Sequence, residues 1–187
     1  MRLRATLALA CCLCVPALAL AQEPPKPAAG TQQTPAQVYG KLLSLLEKEF
    51  VDAAEAMPED KFSFAPPATL GEFKGARTFA DQLKHVTEAN GYFFHDPSKP
   101  MVDNRADIEK LKTKAEIVAA LKQSFADAHA YVDAITPDNA FVTTTAGGTR
   151  AGMASFGMAH VMDHYGQLAL YLRMNGIVPP ASRGGGM

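Results

Sequence analysis

Four stretches of this chain carry apolar residues three and four positions apart. That spacing commits them to helices that each bury one face. Val38, Leu42, Leu43, Leu46, Phe50 and Ala53 make the first stripe. Phe79, Leu83, Val86, Asn90 and Phe93 or Phe94 mark the inward face of the second, and Ile117, Leu121, Phe125, Ala128 and Val132 trace the third. The fourth helix is predicted from about Gly152 to Asn175, with Gly157, Val161, Leu168 and Leu172 in one half of its wheel. No stretch reads as a convincing strand. The expected fold class is all-α, a four-helix bundle.

Local signals set the boundaries. Thr34 can cap the first helix and Pro35 suits its first position; Met57-Pro58 ends it. Thr78 with Asp81, and Thr113 with Glu116, are capping-box starts for the second and third. Lys61 to Ala76 reads as an irregular loop anchored by Phe62 and Phe64, and Asp96 to Lys112 as a polar loop. Thr143 to Gly148 reads as a turn or open loop. Gly176 is a natural C-cap, and Pro179-Pro180 prevents the helix from resuming. The loops after the first and second helices exceed what a minimal up-down bundle needs, which leaves room for crossovers.

The N-terminus belongs to no helix of the bundle. Arg2 and Arg4 precede an apolar run from Leu7 to Leu20, and Ala19-Leu20-Ala21 has the small-x-small form of a signal peptidase site. Residues 1–21 are therefore expected to be a cleavable signal peptide and residues 22–33, rich in Pro, Gln, Ala and Gly, a flexible linker. The bundle is expected over 34–182 and a disordered tail over 183–187. The apolar run falls short of the roughly 20 residues a membrane span needs, so no stable membrane anchor is expected after cleavage. A lipoprotein cut at Cys11 leaves only a short apolar region before it. Export to the periplasm or beyond follows.

Cleavage also changes the chemistry available. All three cysteines, Cys11, Cys12 and Cys14, lie in the signal segment. The mature chain has no disulfide, no Cys–metal bond and no cysteine nucleophile. Removing Arg2 and Arg4 from the 18 Lys and Arg leaves 16 against 19 Asp and Glu, a formal charge of −3. That balance argues against a nucleic-acid partner, which requires a basic face.

His160 and His164 are the residues that carry chemistry. Four positions on a helix differ by about 40° and one turn of height, so both imidazoles can reach one ion. They sit at the edge of the buried stripe. The pair alone is a weak signal, because histidines at this spacing are common without a metal. His85 flanks the apolar stripe of the second helix, and a facing helix can bring it opposite the pair. Three neutral imidazoles with an open position suit Zn²⁺ and related divalent ions.

The stretch HVMDHYGQLALYLRMNGIVPP, His160 to Pro180, resembles the last-helix signature of the DinB superfamily, with its paired histidines, Gly-Gln-Leu, Tyr-Leu-Arg, Gly and Pro-Pro. The upstream FSFAPPATLGEFKGARTFADQLKHVTEANGYFF resembles that family's loop and second helix. The resemblance implies a DinB-type bundle over roughly Thr34 to Ser182. It also implies that the second-helix histidine, here His85, completes a metal site with His160 and His164. Many members carry Arg after the second histidine of the pair where this chain has Tyr165; the wheel turns that position away from the site.

Asp163, Gln167 and Glu88 are candidate partners for the ligands' second ring nitrogens. Gln167 lies nearest the histidine side, while Asp163 and Glu88 also read as solvated surface charges. Gly157, one turn below His160, either leaves space beside the metal or allows close helix packing. His95 and His129 read as a helix-end and a rim residue. The H-E-x-x-H, G-x-S-x-G and P-loop patterns are absent, and Met153, Met158, Met162 and Met174 read as packing.

The resemblance brings thiol-dependent transferases and isomerases into view. The functional expectation is an exported divalent-metal protein (Zn, Ni or Fe) acting as a metal-dependent thiol-type transferase or hydrolase on a small molecule. Its catalytic residues beyond the ligands are not legible. The alternatives are a non-catalytic metal-binding or stress-related bundle, and a structural bundle acting through homodimer contacts.

Overall fold

Each of the four long helices starts on a threonine hydroxyl. In the computed structural model, which describes residues 26–145 and 147–184, Thr34 Oγ1 accepts from the Gln37 N–H at 3.2 Å and Thr78 Oγ1 from the Asp81 N–H at 3.1 Å. Thr113 Oγ1 accepts from the Glu116 N–H at 3.2 Å and Thr149 Oγ1 from the Gly152 N–H at 3.0 Å. Each satisfies one of the N–H groups a helix start leaves without a partner. The expected signal segment and residues 185–187 of the expected tail lie outside the described residues. Residues 26–32 fall in a separate N-terminal unit and hold a turn closed by the Thr31 N–H on the Ala28 carbonyl at 3.1 Å.

Residues 33–187 make the second unit. Its helices are α1 (Pro35–Ala56), α2 (Phe79–Phe93), α3 (Arg105–Glu109), α4 (Lys114–Asp133) and α5 (Arg150–Met174). The described residues contain no named strand, only an isolated antiparallel bridge between Thr143 and Thr149. Helix α5 begins two residues before the expected Gly152, because Thr149 at the end of the glycine-rich turn serves as its cap. It ends in a Schellman motif. Gly176 adopts φ +75°, the Ile177 N–H reaches the Leu172 carbonyl at 2.9 Å, and the Gly176 N–H reaches that of Arg173 at 3.0 Å.

The short helix α3 corrects the expectation of a plain loop over 96–112. Ile108, buried at 5% exposure, docks that segment, and the Asp103 carboxylate accepts from the Arg105 N–H at 3.0 Å to start the turn. One buried apolar residue in five gives no readable periodicity.

Cross-helix pairs give the topology. Glu47 meets His129 and Glu55 meets Lys122, so α1 and α4 are antiparallel. Gln82 meets Gln167 and Phe93 meets Phe156, so α2 and α5 are antiparallel. Asn90 meets Ser124 and Phe94 meets Tyr131, so α2 and α4 run parallel as neighbours. Tyr39 meets Ser155 in the N-terminal halves of α1 and α5, so these two run parallel. The directions are up, down, down, up.

The parallel α2–α4 pair requires its connection to travel back along the bundle, about 22 Å for the 15 residues of α2. That return path explains the length of the second loop. The first loop is pinned from inside. Phe62 and Phe64 pack on Phe79 and Tyr171, and their carbonyls accept from the N–H groups of Ala80 and Phe79 at 2.9 and 2.8 Å.

Phe50 and Phe125 meet at the core with ring centroids 6.2 Å apart, among Leu43, Leu83, Leu121 and Leu168. Among the described residues, no helix is long and apolar enough to cross a membrane.

Gly157 sets the α2–α5 approach. A Cβ there would stand 2.8 Å from Phe93 Cβ and from Phe94 Cζ, so its bare backbone is used for close packing rather than for free space. Gly157→Ala is expected to destabilise the fold by about 1–3 kcal/mol through overpacking. At Gly166 nothing lies within 4 Å of such a Cβ. There alanine is expected to stabilise the helix by about 0.5–1 kcal/mol. Thermal melts of the two variants should move in opposite directions.

Candidate metal centre

The α2–α5 seam brings together the three histidines singled out in the sequence. His160 Nε2 lies 3.1 Å from His85 Nε2 and 3.2 Å from His164 Nε2. One nitrogen from each ring falls within 4.8 Å of the others. Helical geometry supplies the stacked pair, and the antiparallel register supplies the third ring.

These separations fit a shared ion. Two nitrogens held about 2.0–2.1 Å from a tetrahedral cation lie about 3.3 Å apart. The nitrogens already stand near that spacing, with their ring planes 57° to 72° apart rather than stacked. Among the described residues, no carboxylate joins the cluster. The donor set is therefore three imidazoles, which suits Zn²⁺, Ni²⁺ or Fe²⁺ better than hard all-oxygen cations.

Surroundings differ around the three. His164 is buried at 6% exposure, while His85 and His160 are half-buried. The site thus has a closed inner side and a side open to solvent. The Phe93 ring packs against His160 with centroids 5.3 Å apart. His160 Nδ1 is buried without a hydrogen-bond partner among the described residues, so nothing but packing holds that side of the ring.

Burial keeps the rings neutral. It is the main cause that pushes His85 down to about 4, helped by the charge of Arg77 and by the cost of protonating a ring next to His160. His164 is pushed to about 4 by burial, then by His160 and His85, against the opposing pull of Asp163. His160 is also lowered by burial, with Asp163 opposing. Neutral imidazoles are the form that binds metal.

Gln82 is the residue that sequence reasoning missed. It is buried at 2% exposure, and its Oε1 lies 2.6 Å from His164 Nδ1. Its Nε2 lies 2.6 Å from Gln167 Oε1. The available signal was its position three residues before His85, which puts the two on one face of α2. Gln167 thus takes part at one remove, and Asp163 behind it, 3.3 Å from Gln167 Nε2.

Glu88 has no such role; its carboxylate lies 4.0 Å from Arg105 Nε, with its pKa raised by burial. His95 donates from Nε2 to the Lys99 carbonyl at 2.7 Å, and His129 pairs with Glu47 at 2.8 Å. Neither joins the cluster. Tyr165 packs half-buried against the core.

The lowered imidazole pKa values make the metal-free fold acid-sensitive. Between the ordinary value of 6.5 and about 4, the unfolded chain binds protons that the folded site refuses. Stability is therefore expected to fall as pH drops through that window. Urea midpoints measured in chelator at several pH values should show it, and a His85→Asn/His164→Asn double variant should show a shallower fall.

No curated protein matches the chain. Residues 42–168 match the DinB superfamily, a span that contains all three clustered histidines. That match covers more than half of the sequence, and the helical architecture agrees with it: the chain belongs to the DinB superfamily.

Proposed function

We propose that this protein is exported, binds one divalent metal ion through His85, His160 and His164, and uses it in a thiol-type transfer or hydrolysis on a small molecule. The observation that carries this reading is the convergence of three neutral imidazole nitrogens at metal-sharing distances on a half-open seam. A divalent ion there supplies Lewis acidity and lowers the pKa of a water or thiol at its open position. Export rests on the composition of residues 1–21.

The protein's own groups have separable tasks. His85, His160 and His164 hold the ion, and buried His164 closes its inner side. Tyr92 and Phe156, exposed at 57% and 64%, flank Phe93 in edge-to-face contacts at 5.2 Å. Through Phe93 this aromatic group continues to His160. It supplies an apolar surface beside the open side of the site, which favours a reacting centre over a sealed storage site. With every cysteine inside residues 1–21, a reactive thiol has to arrive as a co-substrate.

Elemental analysis of mature protein purified without a metal-affinity tag is expected to find one divalent ion per chain. His85→Ala should lose it; full retention would break the ligand assignment. A thiol-transfer screen on the loaded protein should show turnover that chelator abolishes. Stoichiometric metal with no turnover on any thiol or ester would leave the non-catalytic reading in its place. Sequencing the exported form should begin at Gln22.

A further inference from the structure

We propose that Asp163, Gln167 and Gln82 form a one-directional hydrogen-bonded chain that fixes the tautomer of His164, so that its Nε2 lone pair faces the shared point. This assigns positioning roles to three residues and rests on the metal-site reading only for its consequence in affinity.

The direction follows from the inventory of donors and acceptors. An ionised carboxylate only accepts, so Asp163 Oδ2 takes a hydrogen from Gln167 Nε2. Gln167 then has only its Oε1 to offer toward Gln82, and Gln82 Nε2 donates to it at 2.6 Å. Gln82 in turn has only Oε1 left for His164, at 2.6 Å from Nδ1. A carbonyl oxygen accepts, so Nδ1 must carry the hydrogen. In the neutral imidazole, the form that binds metal, Nε2 is then left unprotonated.

An amide reversed anywhere along this line would face oxygen against oxygen or NH₂ against NH₂. Gln82 is buried and both of its contacts are short, so a reversal of its amide finds no water to relieve it. The outer end of the chain is the exposed Asp163, whose charge sets the order for the buried members.

The three ligands are thereby unequal. His164 is locked by an acceptor, as metal-ligating histidines commonly are. His160 Nδ1 has no partner. The orienting chain therefore serves the innermost ligand, and an amide rather than a carboxylate touches it.

The test begins with the metal-free mature chain, its histidines labelled with ¹⁵N, in long-range ¹H–¹⁵N correlation spectra at neutral pH. His164 should show a protonated Nδ1 and a bare Nε2. Gln167→Met changes no charge and alters a partly exposed residue; it should convert this single tautomer into a mixture. Zn²⁺ affinity, read by competition with a chromophoric chelator, should fall about 10- to 100-fold in Gln82→Met. It should hold near wild type in Gln82→Glu, which still accepts from Nδ1.

A wild-type His164 protonated on Nε2, or an unchanged tautomer in Gln167→Met, would overturn the proposal. So would undiminished Zn²⁺ affinity in a folded Gln82→Met. If the wild-type chain takes up no Zn²⁺, the metal reading fails on its own, and the tautomer result still decides the chain.

Discussion

The close approach of α2 to α5 is the contact on which the site depends. Gly157 lets the α5 backbone lie against Phe93 and Phe94, nearer than any side chain would permit. That spacing allows one ring from α2 to meet two from α5, and it allows Gln82 to reach across to His164 and Gln167. A looser seam would leave the same residues on the same helices with no common point between them. The bulky side of the contact, Phe93, also packs on His160, so one residue spaces the helices and braces a candidate ligand.

The site's electrostatics follow from that burial. Burial holds the three rings neutral, and among the described residues no carboxylate stands in their cluster. The nearest acid in the hydrogen-bond line, Asp163, stands two amides away from His164. An ion placed among these rings keeps most of its positive charge, because imidazole donates no formal charge and glutamine none behind it.

Much of this was legible in the sequence because it is encoded locally. The helix faces follow from the spacing of apolar residues, three of the four threonine caps from short motifs, and the His160–His164 pair from helical geometry. The Thr149 cap was obscured by the glycine-rich turn before it, whose composition points to a loop. Helix α3 was obscured because Ile108 alone buries its segment. Gln82 was illegible for a deeper reason: its partners lie more than 80 residues away, and only the register between two helices selects it over the other polar residues of α2. His85 posed a milder form of the difficulty: its place beside the α2 stripe made it a candidate, and the family resemblance added to that.

The up, down, down, up order has a kinetic meaning. His85 and His160 are separated by 75 positions, and the segment between them includes a return path along the bundle and all of α4. Contacts of such long range cost more loop-closure entropy than nearer pairs do. A growing chain thus holds His85 apart from the His160–His164 pair until the last helix docks. The three-histidine cluster is then completed only with the fold, and an ion held there would bridge a 75-residue loop.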